Sequence, residues 1–221
     1  MDYFDQNVRE YEDFRVDSVV VGPIMTNAYF VTNLKTKEVL IVDPGDEAEV
    51  IEKWIKSENL RPAAILLTHG HLDHFGAAEA LRKAFGIPVY CYETEKRLLE
   101  DDRLNCSRAM GMPQTLTPDH LLKEGEEKTL AGLTFRVLHT PGHTAGSCCF
   151  YFTDYRTLLS GDTLFCTSYG RTDLPTGSMR DMVFSLKKLL MLPDEVTVYP
   201  GHGDVTSVAF EKQMNPVALY L

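Results

Sequence analysis

The feature that most constrains this chain is a junction that recurs along it. A short apolar run ends, and the next few residues bring a glycine together with a side chain of metal-ligand type. Residues 63–67 run into Thr68-His69-Gly70-His71-Leu72-Asp73-His74, and residues 39–42 run into Asp43-Pro44-Gly45. Residues 133–138 lead to Thr140-Pro141-Gly142-His143, residues 157–159 to Ser160-Gly161-Asp162, and residues 196–199 to Pro200-Gly201-His202-Gly203. Continuous apolar runs of this length are what strands buried on both faces look like. Loops leaving the carboxyl ends of such strands are where α/β proteins place ligand-binding groups. In the last three junctions glycine immediately precedes the candidate ligand, so the backbone can turn tightly and a short side chain can be aimed at an ion.

Around these junctions the pattern alternates between strands and amphipathic helices. Residues 14–21, 28–32 and 39–42 read as short strands with turns between them, an antiparallel start. Residues 46–56 carry Val50, Ile51, Trp54 and Ile55 at helical spacing. A helix is expected over 77–85, stopped by Gly86, then a strand over 88–92 and a helical turn over 94–99. Strands resume at 133–138, 148–152, 157–159 and 196–199, with a helix over 179–190 and a short closing helix over 205–213. Two polar stretches, 101–118 and 165–177, are rich in Gly and Pro and long enough to be site-covering loops. Two successive blocks of strands then helices point to two sheets packed face to face with helices outside. Periodicity alone fits a three-layer α/β fold equally well.

Composition excludes several functions. The net charge is −10, with 22 Lys and Arg against 32 Asp and Glu. Phosphate binding needs clustered cations, so no nucleic-acid partner is expected. No apolar run approaches the roughly 20 residues that span a bilayer, so no membrane partner is expected either. The acidic start, Met1-Asp2-Tyr3-Phe4-Asp5, does not read as a signal peptide. Five cysteines, an odd number without CxxC spacing, are expected to be reduced thiols of a cytoplasmic protein. Adjacent Cys148 and Cys149 should point to opposite faces of a strand.

Chemistry concentrates in His69-x-His71-x-Asp73-His74, three of the seven histidines within six residues. Residues two apart in an extended loop share a side, whereas Asp73 and His74 can turn toward a second ion. His139 is expected to be packed and His120 to lie on the surface. No Gly-x-Ser-x-Gly elbow supports a serine nucleophile.

In order and content, the five junctions resemble the metallo-β-lactamase superfamily, and within it the glyoxalase II branch, from about Val19 to the C-terminus. The resemblance implies an αββα sandwich of two mixed sheets with the site along one edge. It implies that His69, His71 and His143 bind one metal, that Asp73, His74 and His202 bind a second, and that Asp162 bridges both. Asp73 and His74 thereby belong to the catalytic centre itself. Five imidazoles and two carboxylates suit two divalent ions, zinc first, with iron or manganese as alternatives. Asp43 corresponds to an aspartate that orients the ligand loop without touching metal. Gly170-Arg171-Thr172-Asp173 is similar to a segment shared with the persulfide dioxygenases. There Arg171 either binds an anionic substrate group or pairs with Asp173, and Tyr169 is a candidate pocket wall.

The implied activity is hydrolysis of a small-molecule thioester or related ester by a water activated between the two ions. The alternatives are a mononuclear iron persulfide dioxygenase, a lactonase or another hydrolase of this fold, and a non-catalytic metal-binding domain. Nineteen residues follow His202. The expectation is therefore one domain over 1–221, without the helical C-terminal domain that grips glutathione in glyoxalase II. Oligomeric state is left open.

Overall fold

A computed structural model describes residues 4–5 and 11–217, and shows two mixed β-sheets packed face to face with helices on both outer faces. The first sheet runs in chain order: β1 (Phe4–Asp5), β2 (Phe14–Val21), β3 (Thr26–Asn33), β4 (Glu38–Val42), β5 (Arg61–Leu66), β6 (Val89–Tyr92) and β7 (His120–Leu122). It is antiparallel through β4 and parallel from β4 to β7. The rest of the chain forms β8 (Glu127–Leu130), β9 (Leu133–His139), β10 (Cys148–Phe152), β11 (Thr157–Gly161), the small hairpin β12 (Leu164–Phe165) and β13 (Ser168–Tyr169), β14 (Thr197–Pro200) and β15 (Thr206–Ser207). The second sheet has the order β15-β14-β11-β10-β9-β8, with only β11 and β14 parallel.

The apolar runs are continuous because each strand has an apolar neighbour on both faces. Phe30, Ile41, Ile65 and Leu67 point outward, against α1 (Ala48–Ser57) and α3 (Ala78–Phe85). Their alternates Tyr29, Val31, Leu40 and Leu66 point inward and meet Phe135, Phe150, Phe152 and Leu159 of the second sheet. On the far side Leu138, Tyr151, Leu158 and Val198 pack on Met182, Leu186 and Leu189 of α5 (Met179–Leu190). Cys148 lies between the sheets and Cys149 under α5, on opposite faces as strand geometry requires. Burying one such Leu, Ile or Phe contributes about 1.5–3 kcal/mol. The three apolar layers therefore hold the sheet edges rigidly in register.

The structure adds short elements where the pattern is polar. β8, reading Glu-Lys-Thr-Leu, is an edge strand whose residues are all exposed or half-buried. β7 carries the exposed His120, which stacks on Tyr90. The region 94–99 splits into a one-turn 3₁₀ helix (Glu93–Glu95) and α4 (Lys96–Leu99). What reads as a single helix over 205–213 begins as β15 and becomes α6 (Val208–Met214), started by Ser207 accepting from the Phe210 amide. Residues 101–118 hold no strand or helix. A one-turn helix, α2 (Leu72–Phe75), follows β5.

Candidate metal centre

β4, β5, β11 and β14 end on one edge of the sandwich, and the loops leaving them converge there. Asp43, after β4, accepts from the Thr68 amide (2.8 Å) and the Thr68 hydroxyl (2.5 Å). It also accepts from Nδ1 of His74 at 3.0 Å. Both carboxylate oxygens are thus engaged, so Asp43 orients the 68–74 loop. It lies near enough to His69 and His74 to form a ligand group by distance alone, but its hydrogen bonds leave it poorly placed to bind.

Two other groups bring their ligand atoms together. His69, His71 and His143 form one, and Asp73, His74 and His202 the other, each with its ligand atoms within 4.8 Å of one another. Asp162, after β11, stands between them. Its Oδ1 is 3.4 Å from His74 Nε2, and its Oδ2 is 3.4 Å from Nε2 of both His143 and His202.

The ring tautomers follow from what the other nitrogen meets. A carbonyl only accepts, so Nδ1 of His143 carries the hydrogen it gives to Arg171 O (2.7 Å), and Nδ1 of His202 gives one to Met25 O (3.3 Å). Thr68 donates its hydroxyl hydrogen to Asp43, so its oxygen accepts from His69 Nδ1 at 3.2 Å. In His69, His74, His143 and His202, Nε2 is the nitrogen left to face the cavity. This is the arrangement by which neighbouring acceptors orient metal-binding histidines.

Several polar atoms here have no partner within the protein. Nε2 of His69, Nε2 of His71 and Oδ1 of Asp162 are buried without a hydrogen bond. His71 Nδ1 and His143 Nε2 face each other at 2.8 Å. An unsatisfied buried acceptor costs about 1–3 kcal/mol, and a divalent cation removes that cost for several at once. The donor set fits divalent metal ions.

Electrostatics point the same way. Burial pushes the His71 pKa down to about 3, with His143 adding to the shift, and His69 and His143 are lowered as well. These rings are neutral at pH 7, as ligands must be. Burial also opposes charge on His74 and His202, but the aspartates outweigh it. Asp162, Asp73 and Asp43 raise His74 to about 9, and Asp162 and Asp73 raise His202 to about 10. Burial would raise Asp162, yet His74 and His202 hold it at about 2, and Asp73 is lowered in the same way. Without metal, protons take the place of cations.

Backbone closeness around the centre demands glycine. A Cβ at Gly201 would lie 2.2 Å from Asp162 Oδ1 and 2.7 Å from His74 Cε1. One at Gly45 would lie 1.6 Å from the Asp73 carbonyl oxygen.

The centre floors an open cavity of about 720 Å³. Ile24, Met110, Phe165, Tyr169 and Leu174 form much of its wall, so both polar loops of the sequence reach the site. Arg171 also lines it, but its guanidinium donates twice to Asp173, at 2.7 and 2.8 Å, on the exposed rim. Of the two roles the sequence allows Arg171, its observed contact is the pair with Asp173. His139 and His120 lie elsewhere: His139 stacks on Tyr92 and donates to Ala145 O.

Sequence reading missed four supporting side chains. Thr26 donates to Asp73 Oδ2 (3.1 Å), and Asn27 donates to Pro200 O and Gly203 O, tying the His202 loop to the first sheet. Glu211 accepts twice from the Thr167 amide and holds the β12–β13 hairpin. Glu95 accepts from the Gly70 amide, and burial raises its pKa to about 7. None has a local pattern that would distinguish it from a solvated polar residue.

Fold and site together define a metal-dependent enzyme centre of the hydrolase type. The chain matches the metallo-beta-lactamase superfamily over residues 21–202, and it belongs to that family. It is 42% identical over 199 residues to the probable metallo-hydrolase YqgX of Bacillus subtilis, covering 89% of this chain and 93% of that one. It is 37% identical over 184 residues to the hydroxyacylglutathione hydrolase GloC of Haemophilus influenzae, covering 81% and 87%. Among solved structures, BLEG-1 B3 metallo-beta-lactamase superposes with a TM-score of 0.87 at 45% identity, over 91% of this chain and 98% of that one. A di-iron-bound form of TTHA1623 gives 0.81 at 41%, over 90% and 98%. ETHE1 from Myxococcus xanthus gives 0.75 at 29%, over 92% and 83%.

Proposed function

We propose that the chain is a two-metal hydrolase that cleaves small thioesters or related activated esters, in the manner of a glyoxalase II. The observation that carries this reading is Asp162, within 3.4 Å of imidazoles from both ligand groups. His69, His71 and His143 would hold one ion, Asp73, His74 and His202 the other, and Asp162 would touch both. Bound divalent ions supply a water whose pKa falls from about 15.7 toward 7, and polarise a carbonyl oxygen.

The protein's own groups do the rest. Thr68 and Asp43 lock the loop, and the main-chain carbonyls of Arg171 and Met25 fix which ring nitrogen of His143 and His202 is offered. The wall of Ile24, Met110, Phe165 and Leu174 holds the apolar part of a substrate and sheds water from it. Among the described residues lining the cavity there is no Glu or Lys to serve as proton donor for a poor leaving group. A thiolate departs without one, which favours thioesters over amides. Glutathione itself would be gripped weakly, because Arg171, the only Lys or Arg among the described residues of the lining, already pairs with Asp173. Zinc is the first choice of metal. The five unpaired thiols suit a reducing, cytoplasmic setting.

The similarity to GloC supports the thioester reading, and that to BLEG-1 makes β-lactams a required comparison. The di-iron TTHA1623 and the ETHE1 structures accord equally with the second reading, an iron persulfide dioxygenase. The test is a substrate panel on metal-defined protein: S-lactoylglutathione, other thioesters, lactones, β-lactams and glutathione persulfide. The expected result is thioester hydrolysis with a high KM for glutathione conjugates, abolished together with metal content in Asp162→Asn. One iron per chain with oxygen uptake on persulfide, or β-lactams cleaved faster than any thioester, overturns the assignment.

A further inference from the structure

We propose that Glu95 is a positioning residue that clamps together the two loops carrying His69, His71 and His143. The inference rests on reading those three histidines as a metal group. Glu95 closes the 3₁₀ turn after β6 and is only 1% exposed. Its Oε1 accepts from the Gly70 amide at 2.8 Å, and Gly70 is the residue between His69 and His71. Its other oxygen faces the loop between β9 and β10. A Cβ at Gly146 would lie 2.4 Å from Glu95 Oε2 and 2.5 Å from the Glu95 amide nitrogen. Gly146, three residues after His143, therefore packs its backbone directly against the carboxylate.

One carboxylate thus touches a loop of the first sheet and a loop of the second, the two loops whose His71 Nδ1 and His143 Nε2 approach to 2.8 Å. The sequence offers no reason to bury an acid there, and burying one is costly unless it is hydrogen-bonded. The nearby apolar side chains Leu98 and Leu99 crowd Gly70 from the other side, at 3.0 and 2.8 Å from where its Cβ would be. Gly70 is therefore held between an apolar face and the Glu95 acceptor, which fixes the peptide on which both His69 and His71 are carried.

The clamp is tested with Glu95→Ala, Glu95→Gln and the unaltered full chain. Two readouts are taken: hydrogen exchange of the Gly70 amide in metal-free protein, and affinity for cobalt(II) by competition with a chromogenic chelator. Glu95→Ala should speed Gly70 exchange at least tenfold relative to amides in β5 and weaken binding of the first ion about 10–100-fold, the range for lost supports of metal ligands. Glu95→Gln keeps an acceptor for Gly70 and should recover most of the exchange protection, but less of the affinity, since its amide hydrogens face Gly146. Unchanged Gly70 exchange in Glu95→Ala, or unchanged cobalt affinity in Glu95→Gln, overturns the clamp. Faster exchange with unaltered cobalt affinity reduces Glu95 to a structural residue. Failure of the unaltered chain to bind cobalt would instead sink the metal reading. Should Glu95→Ala not fold, Glu95→Gln decides, because it preserves size and hydrogen-bonding capacity.

Discussion

Asp43→Asn isolates the effect of orientation, because the residue touches no open ligand position. Asp43 has a φ of 50°, a region that Asn tolerates as well as Asp, so backbone strain does not confound the change. In the protein its two oxygens receive three donors, the Thr68 amide, the Thr68 hydroxyl and His74 Nδ1. Asparagine has one acceptor oxygen and one amino group. With the oxygen kept on the Thr68 amide, the amino group faces Thr68 Oγ1 and His74 Nδ1. Thr68 adapts by turning its hydroxyl. His74 can adapt only by accepting at Nδ1, which moves its hydrogen to Nε2 and blocks the nitrogen that faces Asp73, Asp162 and His202. A hydrogen bond to a charged group contributes about 1.5–3 kcal/mol. Converted to binding, that is about 10–100-fold, which agrees with the usual effect of losing such a support. The second ion should therefore bind about 10–100-fold more weakly while the first changes little. Competition titration with a chromogenic chelator measures both steps, and histidine NMR of metal-free protein should show the His74 pKa moving down from about 9. A second-ion affinity within threefold of the unaltered protein would refute the claim that Asp43 sets the His74 tautomer.

Three further outcomes follow from the same geometry. His202→Ala removes one ligand of the second group only, so metal analysis of chelator-free protein should fall from close to two ions per chain to close to one. Gly201→Ala drives a methyl to 2.2 Å from Asp162 Oδ1, so the variant should retain its circular dichroism but lose metal and hydrolysis together. Metal-free protein should lose stability as pH rises: His74 and His202 have folded-state pKa values of about 9 and about 10, above the 6.5 of the free side chain. Their stabilisation is complete below pH 6.5 and lost through pH 9–10, and urea midpoints measured with and without zinc should converge at low pH and separate at high pH.

How much of this was legible beforehand varied with the physics of each element. β2, β3, β4 and β5 are readable because both faces are buried, which forces apolar residues at successive positions. β8 and β15 are not, since an edge strand with one wet face carries polar residues that any loop would also carry. The helix expected over 205–213 failed at its start for this reason: pairing of Thr206 with Val198 is a tertiary contact, and Ser207 caps the helix only after the strand ends. The candidate ligand residues could be picked out because metal chemistry restricts ligands to few residue types, and because strand ends followed by glycine bring them to the eye.

Sequence by itself determined the strand ends and the set His69, His71, Asp73, His74, His143, Asp162 and His202 as candidates, since side-chain chemistry and strand periodicity are local properties, and the αββα arrangement followed from the resemblance those motifs carry. Tertiary structure decided which of them meet. It placed Asp162 at 3.4 Å from three imidazoles, set both oxygens of Asp43 against Thr68 and His74, and set Arg171 against Asp173. It also recruited Thr26, Asn27 and Glu95, whose burial exists only where the two sheets meet. A polar side chain carries no mark of its eventual partner, because hydrogen bonds are short-ranged and their geometry is fixed by segments as much as 177 residues apart.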